Sequence, residues 1–509
     1  MKSTLRPIMF VGTGSDVGKS IINAGFCRIF KQDGYAPAPF KAQNMSLNSF
    51  AGTDGLELGR AQAVQAEACG LEPCSEMNPI LLKPTSNQNA QVVLNGKPIG
   101  NQSAKAYFLG NHREALFAEA MKAYHTLENR YNPMVIEGAG SISEINLRDK
   151  DITNMRVALE VDAAVILIAD IDRGGVFGSV YGTLELLRPE ERALVKGILI
   201  NKFRGDIDLF AEGKQILEQL TKVPVVGIVP YYQDIHIDDE DSVVLDHKSG
   251  NRKNGLINVA VVLLRHLSNF TDFNVLERIP EINLFYTANP EEIENADVVI
   301  IPGSKNTIAD LNNLRKTGLA KAILNCHEKG SAVYGICGGY QMMGREIHDP
   351  EHIESEISFM PGLAILPVIT TLTSEKQTVQ SAFEFLAEKE ICKGYEIHMG
   401  KTELLGAQPL TLLSDGSPDG CFLNEKTWGT YLHGIFDNLP VIRSILKSCG
   451  KETALQEFNY ADFKNQQYDK LAAHIRSSCD LDYIYSILQM KENETITNDE
   501  TIAIPEQNA

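Results

Sequence analysis

Short apolar runs alternate with longer amphipathic stretches along most of this chain. Between residue 6 and about residue 230, "PIMFVG", "YAPAPF", "NPMVIEG", "AAVILIAD", "VKGILIN" and "PVVGIVP" are apolar over the length of a strand. Segments between them, such as "SAKAYFLGNHREALFAEAMKAYHTLENR", carry apolar residues at helical spacing. Buried strands separated by helices predict a mostly parallel sheet with helices on both faces. From residue 234 the chain turns polar, charged and glycine-punctuated in "DIHIDDEDSVVLDHKSGNRKNG", which predicts a boundary. A second alternation begins at "LINVAVVLL" and includes "ADVVIIPG" and "SAVYGIC"; beyond residue 360 short strand-like pieces predominate. After about residue 450, "YDKLAAHIRSSCDLDYIYSIL" predicts helices packed on the body, and "KENETITNDETIAIPEQNA" predicts disorder. The expected organisation is an α/β domain over 1–235, a linker over 236–255, a second α/β domain over 256–450, a helical extension over 451–490 and a disordered tail over 491–509.

Composition narrows the functional classes. A length of 509 residues is too great for one ordinary core and suits two domains plus an extension. No apolar run reaches the roughly 18 residues of a membrane span, and "MKSTLRPIMFVG" enters a strand with no room for a signal peptide. Nine scattered cysteines without a C-x-x-C pair predict neither disulfide framework nor zinc site, and a reducing cytoplasm. A net charge of −19 argues against nucleic acid as a partner. Whether the chain forms a homo-oligomer is open.

"MFVGTGSDVGKS" reads as strand, glycine-containing loop and helix start. The backbone N–H groups of Gly12, Thr13, Gly14, Ser15, Asp16, Val17 and Gly18, together with the helix N-terminus, suit a phosphate group. Lys19 would reach the terminal phosphates and Ser20 would bind Mg²⁺. Gly12 stands one position early for the strict P-loop, and Thr13 occupies the expected glycine position; this variant resembles the deethiobiotin synthetase group. Later strand ends add Glu137 in "VIEGAGS" and Asp16 as further Mg²⁺ ligands. Asn201 and Lys202 in "ILINKFRGD" are candidates for contacting the base of ATP. Asp170, Asp172 and Arg173 in "LIADIDRGGVFGS" suggest a loop closing over phosphates or substrate; the alternative is that these aspartates cap the next helix.

A second chemical signal is "VYGICGGYQMMG". Gly335-Ile336-Cys337-Gly338-Gly339 fits the cysteine version of a nucleophile elbow, in which small neighbours permit a sharp strand-to-helix turn. The Gly338 N–H would stabilise an oxyanion, with a second donor at Gly303 in "IIPGSKNT". A base is supplied by His433 in "WGTYLHGIFDN".

Cys337 and His433 resemble the nucleophile and base of class I glutamine amidotransferases. Members of that group often carry glutamate two residues after the histidine, where this chain has Ile435; the orienting carboxylate is absent or comes from elsewhere, and no third residue is assigned. From about residue 6 to 490 the chain resembles the cobyric acid synthases of cobalamin biosynthesis, on "GTGSDVGKS", "PFKAQNMSLNS", "EGAGSISEINL", "DIDRGGVFGS", "NKFRGD", "GSKNT", "YGICGGYQ", "GYEIHMG" and "YLHGIFDN" in series. The resemblance implies ATP- and Mg²⁺-dependent amidation of a corrinoid, with glutamine as nitrogen donor. In "KAQNMSLNS", Lys41, Asn44 and Ser46 are candidates for contacting the substrate's side arms, and His398 for an interdomain or glutamine-site role. Two alternatives stand beside this one: a cobyrinic acid a,c-diamide synthase, whose family typically has an acidic segment where this chain has "KAQNMSLNS", and a nucleotide-binding regulator with a relict amidotransferase domain.

Overall fold

The apolar runs assemble into two separate six-stranded sheets. This computed structural model describes residues 3–85, 89–110, 112–232, 234–238, 240, 252–386, 389–451 and 459–489. The expected tail, and residues 241–251 of the expected linker, lie outside the described residues.

In the first sheet the order is Val225–Pro230, Val195–Phe203, Ala164–Asp170, Ile8–Gly12, Met134–Glu137 and Ala38–Phe40, with every neighbouring pair parallel. Parallel strands need helical crossovers on the faces, which accounts for the amphipathic stretches between them. Ile8–Gly12 lies between Met134–Glu137 and Ala164–Asp170, both from later in the chain. The strand order reverses there, opening a crevice beyond the C-terminal strand ends where Gly12 and Glu137 emerge.

The second sheet runs Ile282–Thr287, Ile257–Val262, Val298–Ile301, Ala332–Ile336, Thr427–Thr430 and Cys421–Asn424, and only the last pair is antiparallel. Buried Trp428 stacks on Tyr334 with ring centroids 4.2 Å apart, tying the neighbouring strands Thr427–Thr430 and Ala332–Ile336 together. The register pairs Ile301 with Gly335 and Ile336 with Thr430. Three strand ends thus lie side by side, carrying the segments that contain Gly303, Cys337 and His433.

Two features depart from the sequence reading. The helix expected between residues 103 and 130 is broken into Ala104–Leu109 and Arg113–Glu128. Ahead of it, Ile80–Pro84, Asn89–Leu94 and Lys97–Ser103 form an antiparallel sheet with Gln43–Met45 along its edge. Asn95 (φ 48°) and Gly96 (φ 75°) make its tight turn, and that Asn-Gly pair is itself a hairpin signal.

The C-terminal helices Tyr460–Arg476 and Leu481–Gln489 pack on the first sheet's side of the molecule, remote in sequence. Gly25 makes the approach to helix Lys19–Gln32 possible: a Cβ there would stand 2.1 Å from Ile475 Cδ1. Arg28–Asp469 (2.7 Å) and Lys464–Glu67 (2.8 Å) flank this apolar seam. The extension therefore clasps the helix that follows the phosphate loop. Among the described residues no helix is long and apolar enough to cross a membrane.

Candidate active sites

The loop between Gly12 and helix Lys19–Gln32 is shaped by tight contacts. A Cβ on Gly12 would lie 2.8 Å from both Gly14 O and Val17 Cγ2, so no other residue fits without moving the turn. Gly18 adopts φ 92°, and a Cβ there would lie 2.3 Å from Asn201 Nδ2. Val17 is buried in the core beneath the loop. Thr13 N donates to Ile168 O at 3.0 Å, extending the sheet's pairing into the loop.

A cavity of about 790 Å³ opens in front of the loop. Ser15, Asp16, Gly18, Lys19, Ser20, Lys41, Asn44, Glu137, Arg173, Asn201 and Lys202 line it; Gly12, Thr13, Gly14 and Val17 form the turn behind. Lys19 Nζ donates to Gly14 O (2.9 Å) and Gly140 O (3.0 Å). Burial lowers its pKa to about 8, against the opposing pull of Glu137. Ser20 Oγ stands 2.8 Å from Glu137 Oε1 and 2.9 Å from Glu240 Oε2. Lys41 Nζ bridges the same carboxylates at 2.8 and 3.2 Å. Burial pulls the Lys41 pKa down, but Glu137 and Glu240 outweigh it and hold the pKa above the ordinary lysine value. Gln65 Nε2 donates to the remaining Glu137 oxygen at 2.6 Å.

Several expected contacts fall elsewhere. Asp16 does not meet Ser20; its carboxylate faces Arg173 at 3.4 Å. Asn201 spends its amide on Val17 O (2.8 Å), propping the loop rather than presenting itself to a base. Lys202 (φ 60°) pairs with Asp170 at 3.0 Å, and Arg204 with Asp172 at 2.8 Å. Neither aspartate lines the cavity, so their charges are committed to basic neighbours on the adjoining strand end. Asn44 Nδ2 donates to Gln62 Oε1 (3.0 Å) at the cavity wall. Ser46 is buried against Asn48 O (3.3 Å) and does not line the cavity. Glu240 was not singled out by sequence because it sits in the charged stretch that predicts a linker.

The second site lies where Ala332–Ile336 ends. Cys337 N donates to Thr430 O (2.8 Å), the last bond of the parallel pairing, and the chain then turns into helix Gly338–Met343. Cys337 takes φ 50° and ψ −109°, a conformation that costs a residue with a β-carbon about 1–3 kcal/mol. The turn needs its glycines: a Cβ on Gly339 would lie 1.9 Å from Ile301 O, and one on Gly338 2.8 Å from Ser304 N. Gly303 pairs with Ser268 in a short antiparallel ladder, and a Cβ there would approach His433 Cε1 to 3.5 Å. Ser304, rather than Gly303, lines the cleft.

His433 is buried and stacked on Tyr395. Its Nδ1 meets Asp272 Oδ2 at 2.7 Å, while Asp272 Oδ1 accepts from Gly434 N at 3.2 Å. Burial disfavours the charged ring, but the Asp272 carboxylate and the adjacent Cys337 sulfur outweigh it and push the pKa up to about 10. Asp272, on the short turn Phe270–Phe273, is thus the carboxylate missing after His433. The sequence held one hint: it is the single acid between residues 263 and 276. His398 lines the same cleft, stacked on Tyr431. Ser49 and Lys83 reach the cleft from the first half of the chain.

Residues 6–237 match the AAA domain family, and residues 258–441 match the CobB/CobQ-like glutamine amidotransferase domain. The chain is 59% identical to a cobyric acid synthase of Parabacteroides distasonis, over 96% of this chain and the whole of that one. It is 47% identical to a cobyric acid synthase of Streptococcus sanguinis, again over 96% of this chain and all of the relative. The chain belongs to the cobyric acid synthase family. It is therefore an enzyme of the amidotransferase–ligase class, in which an α/β P-loop domain precedes an amidotransferase domain, and the AAA match points to nucleotide binding. The regulator reading gives way to this membership, and the two relatives just named, each matched over its whole length, are cobyric acid synthases.

Proposed function

We propose that this enzyme amidates the b, d, e and g carboxylates of adenosylcobyrinic acid a,c-diamide to give adenosylcobyric acid, using ATP and glutamine. The observation that carries the reading is the presence in one chain of a phosphate loop facing a large cavity and a cysteine–histidine–aspartate array. A carboxylate is a poor electrophile. Transfer of the terminal phosphoryl group of ATP to it makes an acyl phosphate, and ammonia then displaces phosphate to leave the amide. Lys19 and the loop N–H groups would hold the phosphates, and Lys41 would hold the reacting carboxylate of the substrate. Ser20, Glu137 and Glu240 offer oxygen donors only, suited to Mg²⁺ completed by nucleotide phosphates and water. When bound, Mg²⁺ would supply charge neutralisation of the phosphates.

At the other site, the sulfur of Cys337 attacks the glutamine side-chain amide, His433 passes a proton to the departing ammonia, and water hydrolyses the thioester to glutamate. The cleft between the two halves would shelter ammonia from protonation. The nine cysteines carry thiols rather than disulfides, which suits a reducing cytoplasm. Incubation with ATP, Mg²⁺, glutamine and the a,c-diamide should give a tetra-amidated product by mass, through partly amidated intermediates. A product that forms only from the unamidated acid, and stops at its a and c positions, would identify the a,c-diamide synthase instead.

Asp272 acts on His433 and not on the P-loop. Asp272→Asn should lower glutamine-dependent turnover by roughly 10²-fold while ammonium-dependent amidation persists. Without the carboxylate, burial dominates and the His433 pKa falls from its raised position near 10. The protonated ring is then lost at lower pH, so the alkaline limb of the glutamine-dependent rate moves down the pH scale. An unchanged pH profile would remove Asp272 from this role.

A further inference from the structure

The glutaminase cleft contains more charge than its two reacting side chains require. Besides Cys337 and His433 it is lined by Lys83, Lys305, Lys376 and Glu354. Lys83 and Lys376 share the one carboxylate of buried Glu57, Lys83 at 2.6 Å, and the three side chains join the two halves. Lys305 and Glu354 do not belong to it. Among the described residues Lys305 makes no ion pair, and its Nζ donates to the neutral amide oxygen of Gln91 at 3.0 Å. Glu354 Oε2 accepts from Thr307 N at 2.7 Å, at the start of helix Thr307–Thr317, the Ile308 N–H also turns to this carboxylate, and Oε1 keeps a 3.5 Å contact to Thr307 Oγ1.

A cation and an anion therefore face one cleft with capacity unspent and no ion pair between them. Burial pulls the Lys305 pKa down to about 7 and pushes that of Glu354 up to about 7, so the surrounding protein groups compensate neither charge well. A ligand with a carboxylate and an ammonium on one carbon would complete both. A simple anion or cation would complete only one.

We propose that Lys305 and Glu354 bind the α-carboxylate and α-ammonium groups of glutamine, aiming its side-chain amide at Cys337. The inference rests on the glutaminase reading above. It makes the site selective for a free amino acid, because peptide-linked glutamine or a simple amide lacks one or both charges. It also ties selectivity to domain contact: Gln91, which holds Lys305, lies on strand Asn89–Leu94 of the first half. At about 50 Å³ the cleft is narrow, so glutamine must widen it on entry.

The test is ammonia release by wild type, Lys305→Ala and Glu354→Gln from three compounds: glutamine, decarboxylated glutamine and deaminated glutamine. Ammonium-dependent amidation at the P-loop site reports that each variant is folded. The glutamine KM should rise by roughly 30-fold or more in each variant, with kcat much less affected. Lys305→Ala should use decarboxylated glutamine as well as wild type does, because the lost side chain has no partner on that compound; Glu354→Gln should behave likewise with deaminated glutamine. An unchanged KM for glutamine, or equal losses on glutamine and the matching analogue, would overturn the inference alone. Wild-type enzyme that releases no ammonia from glutamine would overturn the glutaminase reading and this inference with it.

Discussion

Cys337→Ala should abolish glutamine-dependent amidation, by roughly 10⁴-fold or more, and leave amidation from high ammonium at alkaline pH intact. The expectation follows from the separation of the two chemistries. Cys337 lies at the end of strand Ala332–Ile336 in the second sheet, and the phosphate loop lies at the end of Ile8–Gly12 in the first. Alanine keeps a β-carbon at φ 50°, so the substitution alters the nucleophile without relaxing the turn. In the proposed reaction external ammonia needs the acyl phosphate and nothing from the thiol, and alkaline pH supplies it unprotonated. The measurement is product formation with each nitrogen source at saturating ATP. Equal loss with both would assign Cys337 to the synthetase site or to the fold.

The sequence made the two sheets and both strand-to-helix loops legible because each rests on local chemistry. Apolar runs of strand length predict buried parallel strands, and Gly-Lys-Ser or Gly-x-Cys-x-Gly marks a strand-to-helix turn by its small residues. What stayed hidden depends on contacts between distant segments. Asp272 and Glu240 are ordinary acids in sequence, and only sheet order brings one to His433 and the other to Ser20. The reverse holds for Asp170 and Asp172. A strand-end aspartate beside glycines suggests a ligand contact, but the adjoining strand carries Lys202 and Arg204 in reach, and those charges are satisfied locally. Asn201 is a similar case, since a side chain at the expected height is drawn to the orphaned carbonyl of Val17.

Lys19→Ala should suppress ATP consumption by roughly 10²–10³-fold, whether glutamine or ammonium is the nitrogen source. In the proposed reaction phosphoryl transfer precedes ammonia, so no nitrogen donor can bypass it. In the structure Lys19 Nζ rests on Gly14 O and Gly140 O, two neutral acceptors, and burial has brought its pKa down to about 8. Phosphate oxygens would restore the full charge, so the ammonium gains more from nucleotide than from the contacts it gives up. Alanine removes that gain and leaves Gly14 O and Gly140 O to water in an open cavity, at small cost to the fold. Glu137→Gln is the less discriminating partner experiment. It strips one carboxylate from buried Lys41, and breaking such a pair costs about 3–5 kcal/mol of stability, so lost turnover would mix chemistry with folding. For Lys19→Ala the control is ammonia release from glutamine at Cys337, which should continue at the rate the wild type shows without ATP. Ordinary ATP turnover by this folded variant would take the loop lysine out of phosphate chemistry, and the cavity before it would need another occupant.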